Sequence, residues 1–261
     1  MSCNNGMVIQ IAKLGLLLML GLSMSACAGL FGFGGTSWKE EVLLHDGSKI
    51  IVSRSVSRGG RHEIRQNPPI KEQSLTFTMP STKERITWED PYSADVGSTS
   101  FLPMLVDIHQ GAAYLVAYAT GCLSYNKWGR PNPPYVIFKY DGKVWQRIPL
   151  QELPVEIKMP NLIFSMPDIK VEEMGKSFIT AENIQGIIGN YRQPEYRTIL
   201  REPMAKVQEG CGEMIYDGKG KWIGIGWFSE KPSYGACLNE CKFRKIDAQY
   251  CPCETLFKEK K

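Results

Sequence analysis

Three stretches of the chain place Asp-Gly between apolar runs. Each predicts a β-hairpin, because Gly supplies the positive φ that a tight reversal requires. They are EEVLLHDGSKIIVS around Asp46, YVIFKYDGKVWQRI around Asp141 and EMIYDGKGKWIGIGWF around Asp217. The last two share Tyr-Asp-Gly-Lys followed closely by Trp. The three Asp-Gly positions have no fixed spacing, so hairpin chemistry used three times explains them better than a repeat does. Residues 75–79, 85–88, 101–108 and 112–119 are β-branched or aromatic runs bounded by Pro, Gly, Ser or Asp, and these read as strands. The last two are apolar almost throughout, which predicts central strands covered on both faces. One helix is expected. Thr180-Ala181-Glu182 opens a run with Ile184, Ile187 and Ile188 on one face, and Gly189-Asn190 stops it.

Residues 154–174 are rich in Pro and Met and follow no period. They read as a connector between a β-rich front part and a mixed, cysteine-rich back part. The expected fold is therefore mainly β, a sandwich or barrel-like antiparallel sheet packing, with one or two short helices and a disulfide-stapled C-terminal segment. The globular region is expected over residues 38–261, dividing near 154–174.

Composition fits this picture. The 261 residues are 43% hydrophobic and 22% charged, which is the balance of a globular chain. A net charge of +4 gives no general case for nucleic acid, which asks for a strongly basic face.

The N-terminus changes the picture more. Residues 7–13 end in Lys13, residues 14–22 (LGLLLMLGL) are uninterruptedly apolar, and Ser23-Met24-Ser25-Ala26-Cys27 follows. A cationic start, a short apolar stretch and small residues before a cut describe an export signal, with translation starting at Met1 or Met7. Ser25, Ala26 and Cys27 resemble the lipobox read by the bacterial lipoprotein signal peptidase, with Met24 where Leu is usual. The resemblance implies a signal peptide over 1–26, cleavage between Ala26 and Cys27, and a diacylglycerol on the Cys27 sulfur. Gly29, Gly32, Gly34 and Gly35 then make residues 27–37 a flexible tether rather than half of a membrane span. Ala28 in place of Asp resembles the sorting pattern of outer-membrane lipoproteins, so the outer membrane is expected over the inner, with the domain facing the periplasm. The mature part resembles proteobacterial envelope lipoproteins at large, which implies a location and no activity.

With Cys3 in the signal and Cys27 lipidated, six cysteines remain: Cys122, Cys211, Cys237, Cys241, Cys251 and Cys253. An even number in an exported chain predicts three disulfides. Cys251 and Cys253 are poorly placed to bond each other, so each is expected to reach back to Cys237 or Cys241, leaving Cys122 with Cys211. The same C-x3-C and C-x-C pairs offer four thiols to a metal, but the second pair is too tight for a structural zinc site.

No helical zinc motif, nucleophile elbow or phosphate loop is present, and nothing calls for a cofactor. The three histidines, His45, His62 and His109, stand apart in sequence. Two surface features are more suggestive. Arg54, Arg58, Arg61 and Arg65 fall within 12 residues, balanced by Glu63 alone, and suit an anionic group or an acidic partner, or else guard a sheet edge. Trp128 and Arg130 lie in the Pro-stiffened loop of residues 125–134, whose composition suits a protein interface, unless Trp128 folds back onto the core. The expected function is a non-enzymatic binding or scaffolding role at the membrane, of the immunity kind that neutralises a toxin, with an envelope or toxin protein as partner. The competing expectation is a periplasmic hydrolase whose catalytic residues are scattered along the chain.

Overall fold

The computed structural model describes residues 35–60 and 62–258. The signal peptide, the Ala26–Cys27 cleavage site, Cys27 itself and Arg61 lie outside the described residues, as does most of the tether. The described part is mainly β, with three sheets and six short α-helices rather than one or two.

The first sheet contains Thr36–Leu43 (β1), Lys49–Arg58 (β2), Ile70–Thr78 (β3) and Arg85–Asp90 (β4), with Phe178–Ile179 (β9) added in parallel beside β1. Its order is β4-β3-β2-β1-β9. Burial alternates cleanly along β1, β2 and β4, so one face is covered and the other meets water. The second sheet runs Phe101–His109 (β5), Ala112–Ala119 (β6), Tyr135–Tyr140 (β7) and Trp145–Ile148 (β8), each pairing antiparallel with the next.

The two sheets form a sandwich. Val42, Val52, Leu75, Phe77 and Ile86 of the first pack with Val106, Leu115, Val136 and Phe138 of the second in one buried cluster. The rest of the first sheet's inner face (Trp38, Val56, Ile70) is covered by Val171 of Pro167–Met174 (α2) and by Ile184 and Ile188 of Ala181–Gly189 (α3). The α3 helix begins and ends where the sequence predicts, with the Thr180 hydroxyl accepting from Asn183 N. The outer face of the second sheet is covered as well, by Leu153, Ile157, Phe164 and Ile199. That double coverage explains why β5 and β6 are apolar on both sides.

β5 is nevertheless not central, because it is the edge strand of its sheet. Asn161 closes that edge. Its backbone N–H donates to Met104 O at 3.0 Å, its Oδ1 accepts from Val106 N at 3.0 Å, and its Nδ2 donates to Val106 O at 2.9 Å. The side-chain amide thus supplies the donor and acceptor that a neighbouring strand would supply. Nδ2 also donates to Leu43 O at 3.0 Å, tying β1 of the opposite sheet to the same point. Leu162 and Ile163 beside it are fully buried, so residues 154–174 plug the sandwich instead of dividing it, and Thr36–Lys261 forms one unit.

The C-terminal part builds a small core of its own. The hairpin of Met214–Tyr216 (β10) and Trp222–Gly224 (β11) packs with Gly226–Ser229 (α4), Tyr234–Phe243 (α5) and Cys253–Lys258 (α6). Of its five buried residues, Phe228, Cys237, Cys241, Ile246 and Cys253, three are cysteines. Disulfides join Cys237 to Cys253 and Cys241 to Cys251. A third joins Cys122 to Cys211, so it anchors this part to Gly121–Lys127 (α1), which follows β6.

All three Asp-Gly hairpins form, by a shared device. Each Gly has a positive φ (Gly47 83°, Gly142 93°, Gly218 83°), and each Asp carboxylate accepts backbone N–H groups just beyond it. The Ser48 hydroxyl and N–H at Asp46, and the Val144 and Lys143 N–H groups at Asp141, hold these carboxyls below the usual aspartate range. The glycines differ in their surroundings. A Cβ on Gly218 would collide with the Asp247 carboxylate and lie 2.9 Å from Tyr250 ring carbons, whereas one on Gly142 would meet nothing within 4 Å. Gly218→Ala is therefore expected to cost about 1–3 kcal/mol more than Gly142→Ala in chemical denaturation. Equal costs would show that the hairpin is not packed this closely against residues 247–250.

Candidate functional site

Two clefts flank the loop that follows α1. Trp128 turns inward, with its ring centroid 4.7 Å from Phe101 and 6.2 Å from Phe138. The expectation of an exposed Trp128 anchor is thereby corrected. The core between the sheets is open on this side, and the indole fills it. The cleft beside it, about 350 Å³, is lined by Trp88, Tyr92, Lys127, Trp128 and Trp145, among others. Asp90 at its base is buried and accepts Ser100 N, Phe101 N and Gln73 Nε2. Burial pushes its carboxyl above the usual range despite those bonds. Arg130 is also committed, stacked 4.9 Å over Tyr125 and bonded to Asn126 Oδ1 and Gly212 O.

The second cleft, about 470 Å³, lies on the other side of the loop. Pro131, Pro133, Tyr135, Arg147, Arg201 and Pro203 contribute to its walls, and the Asn132–Pro133 peptide bond is cis. Arg147 stacks 5.5 Å over Trp128 and donates to Trp128 O, so this pair joins the walls of the two clefts. Arg201 donates to four carbonyl oxygens, those of Leu150, Leu153, Pro154 and Ile157. These carbonyls fix both guanidinium ends but carry no formal charge. Two arginine charges held on neutral partners beside proline walls make a receptive surface for a carboxylate or phosphate oxygen. Sequence reasoning passed over both arginines, because neither belongs to a run or motif.

The arginine cluster does not gather on one surface. Arg54 is buried and pairs with Glu40 at 3.0 Å. Arg58 makes a two-pronged pair with Asp168 at 2.5 and 2.8 Å and donates to Pro68 O. Burial works against the Asp168 charge, but the Arg58 bonds outweigh it and hold that carboxyl low. Arg65 is exposed at φ 73°, outside any strand. The reason for the inward Arg54 is register. Positions 50, 52, 54 and 56 share one face of β2, and the flanking Ile50, Val52 and Val56 are core.

Two of the three histidines meet away from both clefts. His45, just past β1, and His109, at the end of β5, stand beside one another with Asp107 behind His45. His62 is exposed, with Nδ1 3.0 Å from Gly60 O. Asp107 is the one acidic residue within the apolar strand FLPMLVDIH, a sign readable in the sequence.

No family model, no curated protein and no solved structure matches the chain. Among the described residues, no helix is long and apolar enough to cross a membrane.

Proposed function

We propose that this chain is an exported, lipid-anchored binding protein of the bacterial envelope, held at Cys27 and facing the periplasm. The observation that carries the reading is the state of the cysteines. All six that remain after Cys3 and Cys27 are assigned pair into three disulfides, as an oxidising compartment favours. The export signal and lipobox-like residues 23–27 supply the route, and two acyl chains supply firm attachment. The Arg147–Arg201 cleft supports binding. Its partner is a protein presenting an acidic side chain or terminal carboxylate, a toxin neutralised at the membrane being one such case.

The competing hydrolase reading would rest on the Asp107–His45 pair, an imidazole oriented by a carboxylate. That pair lines neither of the two clefts described. Arg147→Glu tests the binding site, since Arg147 is exposed and its loss leaves the fold standing. Capture from solubilised envelope with the wild-type chain and the variant is expected to show at least a tenfold loss of the partner. Equal recovery would exclude this cleft as the contact.

A further inference from the structure

The geometry points to a divalent transition-metal site formed by His45 Nε2 and His109 Nδ1, at the end of the sandwich where two hairpins meet. His45 lies in the β1–β2 connection of the first sheet. His109 pairs with Ala112 across the Gln110-Gly111 turn of the second sheet, in which both turn residues have positive φ, 50° and 79°. A hairpin of that kind is tight and fixes the base from which His109 projects.

Asp107 organises the pair. Its side chain is only 3% exposed, and it accepts three N–H groups. His45 N donates to Oδ2 at 3.0 Å, while Ile108 N and His45 Nδ1 reach Oδ1 at 2.7 Å each. An acceptor so placed holds the proton of His45 on Nδ1, which turns the lone pair of Nε2 away from the carboxylate. This is the outer-shell arrangement that orients metal-binding histidines and raises their basicity.

Nε2 of His45 then faces Nδ1 of His109 at 3.4 Å, with the two rings tilted by 43° rather than stacked. A tetrahedral ion with bonds of about 2.0–2.1 Å to imidazole nitrogen holds two such ligands about 3.3–3.4 Å apart. The observed separation equals that edge. It is long for a hydrogen bond between nitrogens, and it suits two lone pairs directed at one ion. Imidazole donors select zinc, copper or nickel over calcium and magnesium, which take oxygen. Water or a group from a bound partner fills the remaining positions. The site is independent of the lipid anchor and of the Arg147 cleft.

The test uses the detergent-solubilised full chain with its disulfides intact, titrated with Zn2+ alone. Nitrogen NMR of the imidazoles is expected to show His45 Nε2 and His109 Nδ1 shifting together, with His62 unmoved. Calorimetry on His109→Ala, which leaves the Asp107–His45 pair in place, is expected to show at least tenfold weaker binding. Asp107→Asn, which keeps one acceptor oxygen, is expected to weaken binding about 10–100-fold with both ligands still present. Zinc that shifts neither imidazole, or wild-type affinity in His109→Ala, overturns the site.

Discussion

Glu40→Ala is expected to lower the stability of the sandwich by about 3–5 kcal/mol, because it strands a buried guanidinium. Glu40 and Arg54 are 0% and 2% exposed. Glu40 Oε1 accepts from Trp38 Nε1 at 2.7 Å and from Arg54 Nη1 at 3.0 Å, and Oε2 accepts from Ile163 N at 3.2 Å. Arg54 also donates to Ile163 O and lies 5.1 Å over the Trp38 ring. Its Nε and Nη2 already lack partners, so removing the carboxylate leaves the charge with one carbonyl and one aromatic face. A second variant separates this account from simple loss of packing. Glu40→Leu with Arg54→Met removes both charges and is expected to recover most of the loss, since well-packed apolar replacements of buried pairs are often neutral. Urea denaturation of the single and double variants decides it. A double variant no more stable than Glu40→Ala would show that packing, not the unpaired charge, sets the cost.

The next largest effect is expected at the cysteines of the C-terminal core. Replacing Cys237 and Cys253 by serine removes two of its five fully buried residues as well as the cross-link. Loss of a native disulfide from so small a core costs about 2–5 kcal/mol, which is comparable to what such a core supplies. Residues 213–258 should then lose protection from hydrogen exchange and become open to proteolysis. The strands of the sandwich should keep theirs, because their cores share no residue with this one. Cys122–Cys211 lies outside the altered core and still tethers its start. Exchange measured by mass spectrometry on the oxidised variant reads this directly, and unchanged protection over residues 213–258 would refute a disulfide-dependent core.

What was legible in the sequence was local. Asp-Gly fixes a reversal within a few residues, so all three hairpins follow from it, and the capped run from Thr180 fixes α3. The cysteine pairs follow from chain geometry, because the tight Cys251-Pro252-Cys253 step excludes one bond. Arg54 carried a readable sign that the spacing of the arginines obscured: it keeps step with Val52 and Val56 on the buried face of β2. Trp128 looked exposed only because Gly, Arg and Pro surround it in sequence. The pairing of His45 with Asp107 spans 62 residues and two sheets, and no local pattern encodes it. Asn161 was hidden for the opposite reason. It sits in a stretch without period because it completes the edge of another strand rather than forming one.

Everything proposed about place and partner depends on Cys27. The most direct measurement is mass spectrometry of the N-terminal peptide of the protein purified from bacterial membranes. The proposal predicts a mature chain beginning at Cys27 and carrying diacylglycerol, and a Cys27→Ala variant that retains its signal or is released unacylated. An N-terminus at Met1 or Met7, or an unmodified Cys27 thiol at the mature N-terminus, would contradict it.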